Sequence, residues 1–290
     1  MMQGFRLRTR ESMSTAPTVL PPVAFIGGGN MARALIGGMV RGGASAQDIH
    51  VSEPYAPNRE GLAAEFGVAT TEDNAAAASK GAVWVLATKP QVLRGVCDAL
   101  APLAQTQRPL VVSIAAGITS AQLDRWLGGG IAVVRTMPNT PALLGAGVTG
   151  LYATAATSNA QRALADQLLR PAGETVWIDD EALMDAVTAA SGSGPAYVFL
   201  LTEAMQAAAE AEGLPTDAAR TLVVETIAGA ARMLKESGET ATTLRQRVTS
   251  PNGTTQAALD AFAAGGFTPL VAAAVHAARS RGAELSAAND

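Results

Sequence analysis

The chain has 290 residues, of which 48% are apolar and only 16% are charged, and its net charge is −4. This length suits two domains, and an acidic balance without a lysine or arginine cluster beyond the first residues argues against a nucleic-acid partner. The single cysteine, Cys97, excludes a disulfide framework and a thiolate metal site within one chain, so we predict no metal and a cytoplasmic location.

Residues 1–20 contain arginines but no continuous apolar segment, which predicts a disordered leader rather than a secretory signal. No run of about 20 uninterrupted apolar residues occurs, so we expect no membrane span. Residues 21–178 alternate short β-rich runs with helical patterns, whereas residues 179–290 are helical throughout. The predicted fold class is therefore α/β, with an N-terminal Rossmann-type doubly wound parallel sheet followed by an all-helical C-terminal dimerisation domain.

Seven strands are expected in the first domain. Their predicted bounds are Pro22–Ile26, Ile49–Ser52, Ala82–Ala87, Leu110–Ile114, Ala132–Thr136, Thr149–Tyr152 and Thr175–Ile178. Ligands of an open parallel sheet bind beyond the carboxyl ends of the strands, so the segments that follow these strands are the candidate binding loops.

The first predicted strand runs into a glycine-rich turn and then into an amphipathic helix that extends to about Val40. The spacing G-x-G-x-x-A allows a tight turn, a close approach of the backbone to a pyrophosphate, and close packing of helix on sheet. The turn therefore predicts NADPH or NADH as cofactor, although an ordinary strand-to-helix turn is the alternative. The residues expected to contact the cofactor here are Gly27, Gly29, Asn30 and Met31.

Later strand ends add to the predicted cofactor cleft. Ser52 and Glu53 follow the second strand, where an acid can bind the ribose 2′-hydroxyl of NADH, while the nearby Arg59 can meet the 2′-phosphate of NADPH. The choice between the two cofactors stays open. Three further segments, each of which reads equally well as an ordinary tight turn, are Ala87-Thr88-Lys89-Pro90, Ala115-Ala116-Gly117 and the loop containing Pro138 and Asn139.

The second domain is expected to contain a helix over residues 181–190, one over 195–212, one capped by Thr216 that ends near Gly238, and a last one preceded by Thr268-Pro269. Those over residues 195–235 are apolar on more than one face, so we expect a homodimer. The alternative is that these faces are buried against the chain's own sheet domain.

Two polar turns in this helical half are expected to begin helices. Free N–H groups at a helix start favour an anion, so a small carboxylate is the predicted ligand. The candidate substrate-binding residues are Ser191, Gly192, Ser193, Gly194, Val248, Ser250, Pro251, Asn252, Gly253, Thr254 and Thr255.

The chain has few residues that could serve as a general acid or base. Its lysines are Lys80, Lys89 and Lys235, and its histidines, His50 and His276, lie in no motif. Reduction of a ketone requires such a group at the oxygen, whereas a protonated imine already has an electrophilic carbon. A cyclic imine with a carboxylate therefore fits the predicted site best.

The motifs resemble those of the pyrroline-5-carboxylate reductase family, in the same order, over about residues 21–286. They are the glycine-rich turn, the segments beginning at Ala87, Ser113 and Arg135, and the two polar turns. The resemblance implies NAD(P)H-dependent reduction of 1-pyrroline-5-carboxylate to L-proline, in an active site shared by two protomers, and dimers that assemble into larger rings such as a decamer. By position, Asn74 and Lys89 are implied to line the cofactor cleft, the backbone of residues 250–253 to hold the substrate carboxylate, and Thr255, the implied catalytic residue, to face the imine nitrogen.

One departure concerns Asn252, because the family usually has glycine at this position. Asparagine tolerates a positive φ better than most residues, so the turn is expected to persist, although the amide is a possible obstacle in the carboxylate pocket. Other functions also stay open: reduction of a related cyclic imino acid, a β-hydroxyacid-type dehydrogenase, and a dinucleotide-binding scaffold without activity. The second would carry a lysine on the helix after Pro195, and residues 195–234 contain none.

Overall fold

The computed structural model describes residues 20–288, so the predicted leader over residues 1–20 lies outside the described residues except for Leu20. Within the described part, the chain forms two compact units. One contains residues 20–195 together with 275–288, and the other is Ala196–Ala274. The first unit thus includes helical residues beyond 178. The domain boundary predicted between residues 178 and 179 remains a prediction.

The first unit is built on one eight-stranded sheet with the order β3-β2-β1-β4-β5-β6-β7-β8. Neighbouring strands are parallel except for β6 and β7. This arrangement confirms the predicted Rossmann-type fold. The strands are β1 Val23–Ile26, β2 Ile49–Ser52, β3 Ala69–Thr71, β4 Val83–Leu86, β5 Leu110–Ser113, β6 Ala132–Met137, β7 Gly147–Ala153 and β8 Gly173–Trp177.

Two features of the sheet differ from the prediction. Strand β3 was missed because it has three residues, one of them exposed, at the sheet edge, and thus lacks the long apolar run of a central strand. Strand β7 is antiparallel to β6, which corrects the prediction of a wholly parallel sheet. The connection over residues 138–146 is too short for a crossover helix, and a chain that turns back directly pairs antiparallel.

Both faces of the sheet are covered by apolar side chains. In β1, Val23 and Phe25 belong to the core on one face, while Ala24 and Ile26 belong to the core on the other. Such two-sided burial explains why the parallel strands read as continuous apolar runs rather than as alternating patterns. The carboxyl ends of the strands are consequently fixed in position by two cores.

Cys97 is fully buried in one of these cores. Burial, with a smaller contribution from the negative charge of Asp98, raises the pKa of the Cys97 thiol to about 12. Because the thiolate is the reactive form, we expect no labelling by a thiol reagent at pH 8 in the native protein and one labelled thiol per chain in denaturant. Rapid labelling of the native protein would contradict this burial.

The helices predicted individually are present, with some differences at their ends, whereas no helix was predicted over residues 241–247. Their bounds are α1 Asn30–Arg41, α2 Ala56–Phe66, α3 Asn74–Ala78, α4 Pro90–Gln107, α5 Ser120–Trp126, α6 Asn159–Leu169, α7 Met184–Val187, α8 Gly194–Ala211, α9 Thr216–Glu236, α10 Ala241–Arg247, α11 Thr254–Ala264 and α12 Phe267–Ala288.

Two predicted caps are wrong. Thr216 is the first residue of α9, and Pro215 occupies the cap position with extended backbone. Thr268 and Pro269 lie inside the first turn of α12, which begins at Phe267 directly after the two glycines Gly265 and Gly266. In both places glycine or proline ends the preceding segment, so the chain enters the helix earlier than the threonine alone suggests.

The second unit, Ala196–Ala274, leaves much apolar surface exposed. Helix α8 has no buried residue, and the exposed large side chains of this unit include Phe199, Leu200, Leu222, Phe262 and Leu270. Among residues 20–288, no single helix is long and apolar enough to cross a membrane, although the bent pair α11 and α12 together meets that criterion by length and composition. These exposed apolar faces are typical of a surface that pairs with another protein chain.

Candidate active site

The glycine-rich turn after β1 has the geometry that the sequence predicts. Gly27 has φ +104°, and a Cβ atom there would lie 2.7 Å from the carbonyl oxygen of Ala87, so only glycine fits. A Cβ atom at Gly29, by contrast, would meet nothing within 4 Å. Gly29 also precedes α1 as its N-cap residue, without a side-chain cap. The turn therefore offers open space at the start of a helix, as a pyrophosphate requires.

Glu53, at the carboxyl end of β2, is bound to this turn. One carboxylate oxygen accepts the N–H of Gly28 at 2.9 Å and the other accepts the N–H of Tyr55 at 3.0 Å. Arg59 donates to the carbonyl oxygens of Glu53 and Pro54, both at 2.8 Å. Glu53 and Arg59, the two residues predicted to determine the choice of cofactor, thus form one cluster beside the glycine-rich turn.

Ser52 and Asn74 are also brought together, because the Ser52 hydroxyl donates to Oδ1 of Asn74 at 2.7 Å. The segment after β4 passes close to Gly27, and its Lys89 is the N-cap residue of α4, which begins with Pro90. In the described part of the chain, the buried Oγ1 of Thr88 makes no hydrogen bond. A buried hydroxyl without a partner is uncommon, and it suits a site whose polar ligand would supply one.

The segment after β5 is compact and partly buried. Ala115 is buried and its N–H donates to the Ser113 hydroxyl at 3.3 Å, whereas Ala116 is exposed. Gly117 has φ +70°. Thr119 then caps α5, through its side chain and a reciprocal bond from Gln122. The backbone at residues 115–117 consequently lies between the Ser113 hydrogen bond before it and the capped start of α5 after it.

The loop after β6 meets the first polar turn. The Asn139 side chain donates to the carbonyl oxygen of Ser191 at 3.1 Å and accepts the N–H of Val148 at 3.0 Å. Gly192 packs so tightly on Met137 that a Cβ atom would lie 2.4 Å from the methionine methyl carbon. Two segments that sequence reasoning treated separately, the one with Pro138 and Asn139 and the one from Ser191 to Gly194, are therefore one structural site.

The first polar turn is not the plain helix start that the sequence suggests. Thr188–Gly192 is a π-helical continuation of α7, and the N–H of Ser193 donates to the carbonyl oxygen of Thr188 at 2.8 Å. Only Ser193 separates this segment from α8. The glycines allowed a wider helical turn rather than a break, and such π-helical turns are frequent at functional sites.

The second polar turn, in the other unit, has the predicted form. Gly253 is the N-cap residue of α11 and supplies no side-chain cap, so the first N–H groups of that helix point into the turn without a side-chain acceptor at the cap position. Gly253 also donates its N–H to the carbonyl oxygen of Ser250 at 3.1 Å. Thr254 and Thr255 occupy the first two helical positions. This arrangement favours a small anion.

Asn252 has φ +59° and its side chain is exposed. Because glycine adopts this conformation freely and the exposed amide does not fill the turn, Asn252→Gly is expected to leave Tm unchanged and to change the KM of an imino acid substrate by less than about twofold. Asn252→Val is expected to raise that KM, since a β-branched residue is strained at positive φ. A tenfold fall in KM on Asn252→Gly would show instead that the amide obstructs the carboxylate.

Comparison with known proteins assigns the chain to a family. Residues 181–285 match the family model described as pyrroline-5-carboxylate reductase dimerisation, and residues 22–117 match that described as NADP oxidoreductase, coenzyme F420-dependent. A pyrroline-5-carboxylate reductase of Pseudomonas aeruginosa is 52% identical over 266 residues, which cover 92% of this chain and 97% of that protein. The chain belongs to the pyrroline-5-carboxylate reductase family.

Solved structures of family members agree over nearly the whole length. A pyrroline-5-carboxylate reductase of Coxiella burnetii has a TM-score of 0.88 at 39% identity, covering 92% of this chain and 98% of that one. The Plasmodium falciparum pyrroline carboxylate reductase, solved with NADP bound, has a TM-score of 0.82 at 26% identity and covers 94% and 100%. The resemblance inferred from the motifs is thereby confirmed, and the matched dimerisation domain confirms the predicted self-association.

The sequence analysis missed a charged cluster around a buried arginine next to the site. Arg135 of β6 is 4% exposed and pairs with Glu181 and Asp185, which lie 46 and 50 positions away in the chain. The one local signal was a charged residue inside the otherwise uncharged strand Ala132–Met137. Among residues 20–288, no group of histidine, cysteine, aspartate or glutamate has the geometry of a metal site.

Proposed function

We propose that this chain reduces 1-pyrroline-5-carboxylate to L-proline, the last step of proline biosynthesis, with NADPH or NADH as the hydride donor. The observation that carries the proposal is the open space above Gly29 at the start of α1, in a chain of this family. The buried Oγ1 of Thr88 without a partner also suits a bound dinucleotide. A bound nicotinamide would supply the hydride that adds to C5 of the imine.

The remaining chemistry requires positioning rather than a strong base. In the proposal, the backbone of Ser250–Gly253 and the first N–H groups of α11 bind the substrate carboxylate. The Thr255 hydroxyl faces the ring nitrogen. The protonated imine accepts the hydride at carbon and keeps its nitrogen proton, so the product is a secondary amine and no proton need be removed at carbon. In the proposal, the site acts by holding C5 of the imine next to the hydride donor and by stabilising the charges of the protonated imine and the carboxylate.

This mechanism gives no chemical role to the histidines. His50 lies in β2, paired with Ala24 and Ala69 across the sheet, and His276 lies on α12 near Ser280. Neither residue is in one of the turns that form the proposed site. Lys89 begins α4 and is proposed to line the cofactor cleft together with Asn74.

The direct test measures oxidation of NADPH and of NADH separately with 1-pyrroline-5-carboxylate, and with a six-membered cyclic imino acid as competitor. We expect stoichiometric formation of L-proline and a higher kcat/KM for the five-membered ring. A higher kcat/KM for the six-membered imine would favour the alternative, a reductase of a related imino acid. Cofactor binding without turnover of either imine would favour a dinucleotide-binding scaffold.

The preference between the two cofactors stays open in the proposal. Glu53 keeps acceptor lone pairs for a ribose hydroxyl beyond those used by Gly28 and Tyr55, which favours NADH. Arg59, with its side chain 22% exposed, is close enough in sequence to attract a 2′-phosphate, which favours NADPH. The separate assays with the two cofactors decide between them.

For the assembly, the proposal is a homodimer whose two protomers both contribute to each active site, with five dimers forming a decamer. The exposed apolar side chains of α8 and α9 support an extensive contact between copies. Light scattering at micromolar concentration tests this assembly, and a monomer would contradict it. The cytoplasmic location inferred from the lone cysteine likewise remains a prediction.

A further inference from the structure

We propose that Arg135 is a positioning residue that fixes the turn from Ser191 to Gly194 in its working geometry through ion pairs of its buried guanidinium with two partly buried carboxylates. This inference rests on the proposed function, since it assumes that this turn meets the substrate. Arg135 lies near the carboxyl end of β6, and its guanidinium binds Oε1 of Glu181 at 3.1 Å and Oδ1 of Asp185 at 3.4 Å. Together with Ser120, these three residues form a set of contacts that we call the clamp.

Glu181 also binds the start of α5. Its Oε1 also accepts the N–H of Ser120 at 2.7 Å, and its Oε2 accepts the Ser120 hydroxyl at 2.5 Å. Ser120 is the first residue of α5, directly after the Thr119 cap, and it follows the segment 115–117 that is predicted to line the cofactor cleft. One carboxylate thus connects the start of α5 and strand β6 to the chain that leads into α7.

The other end of α7 carries the turn. Asp185 lies within α7, whose π-helical continuation ends at Gly192. At that end, the Asn139 side chain donates to the carbonyl oxygen of Ser191 at 3.1 Å. The Ser191 hydroxyl donates to the carbonyl oxygen of Val187 at 2.9 Å. The segment 181–192 is therefore held at its start by Arg135 and at its end by Asn139, only four positions further along the chain.

Stability alone does not account for such a set of charges. Two carboxylates, 21% and 20% exposed, face one guanidinium in a residue that is 4% exposed. Desolvating the guanidinium fully and the carboxylates in part costs free energy that apolar side chains of similar size would not require. What the ion pairs and the Ser120 hydrogen bonds provide is direction, because each fixes an angle as well as a contact. The structure assigns them to setting where the π-helical segment ends.

The decisive experiment separates stability from positioning. Arg135→Met alone is expected to lower Tm, because it leaves two partly buried carboxylates, each about one-fifth exposed, without their partner. The triple variant Arg135→Met, Glu181→Gln, Asp185→Asn removes all the charges and is expected to regain most of that Tm. Its kcat/KM for 1-pyrroline-5-carboxylate is nevertheless expected to stay about tenfold or more below that of the unaltered enzyme, since small misplacements of a site are costly.

Two further measurements accompany it. The dissociation constant of NADPH, from a fluorescence titration, is expected to change less than threefold, because the glycine-rich turn is untouched. Hydrogen exchange of residues 188–195 is expected to become faster in the triple variant, and this measurement does not depend on catalysis.

The matched control is Arg170→Met. It removes an arginine whose side chain is 59% exposed and paired with Asp166, and it is expected to leave kcat/KM unchanged.

A triple variant that regains both Tm and kcat/KM would overturn the positioning role, as would unchanged exchange of residues 188–195. If the triple variant fails to fold, Arg135→Lys provides the same decision, because it keeps the charge but not the fork that spans two carboxylates. It is expected to lower kcat/KM and to accelerate the exchange, and normal values of both would overturn the proposal. Failure of the proposed function appears separately, as a lack of imine reduction by the unaltered protein.

Discussion

Gly29→Val is expected to abolish measurable binding of NADPH and NADH while the protein remains folded. A Cβ atom at this position would meet nothing within 4 Å, and the backbone at φ −69° and ψ −176° suits valine. The added side chain would instead occupy the space in which a pyrophosphate approaches the start of α1. Since direct contact with backbone N–H groups is then blocked, we expect the dissociation constant to rise about 100-fold or more, which corresponds to ~2.7 kcal/mol.

The measurement is a titration of intrinsic fluorescence with each cofactor, together with Tm. Gly95→Val is the matched control, because Gly95 is exposed on α4 and a Cβ atom there also meets nothing within 4 Å. Normal titration of the Gly29 variant would refute the cofactor assignment. Substitution at Gly27 is not a useful test, because its φ of +104° and its contact with Ala87 would disturb the fold itself.

Thr255→Ala is expected to lower kcat/KM for 1-pyrroline-5-carboxylate about 100-fold and to leave the dissociation constant of NADPH unchanged. The hydroxyl is proposed to face the ring nitrogen, whose hydrogen bonding changes as the imine becomes an amine, so its loss weakens the transition state more than the ground state. Thr255 is the second residue of α11 and Gly253 holds the cap position, so the turn does not depend on this hydroxyl.

Two variants make the result specific. Thr255→Ser keeps a hydroxyl and is expected to retain kcat/KM within about tenfold, a partial rescue that a packing role for the lost methyl group would not give. Thr221→Ala removes an exposed threonine hydroxyl bonded to the Asp217 carbonyl oxygen on α9, and it controls for loss of a helical threonine. An unchanged kcat/KM in Thr255→Ala would remove this residue from the mechanism.

The elements that could be predicted were those set by local patterns. The β1 run, Gly27 and α1 appear at the predicted positions because a buried strand, a residue at positive φ and an amphipathic helix each have a signature within a few residues. Asn252 was expected to accept a left-handed conformation and does so, at φ +59°. The caps assigned to Thr216 and Thr268 were wrong because the preceding proline or glycines end the previous segment, so that each helix begins earlier than the threonine suggests.

Hydrogen-bond partners, by contrast, could not be predicted from the local sequence pattern. Glu53 was expected to face a ribose, and the structure shows both of its oxygens bound to backbone N–H groups, one of them 25 positions away at Gly28. The sheet was predicted to be parallel, and β7 is antiparallel to β6. The partners of Glu53 have no signal in the residues of its own segment, whereas the short connection over residues 138–146 was a signal for the direction of β7.

The amino-acid order by itself determined the family, the dinucleotide-type turn and the polar start of α11, because glycine spacing and hydroxyl-rich turns act over a few residues of backbone. Only the tertiary structure decided that Ser191 lies in a π-helical continuation of α7 and that Arg135 meets Glu181. Burial gives the reason, since a charge removed from water must take the partner that the folded chain brings to it, however distant along the sequence.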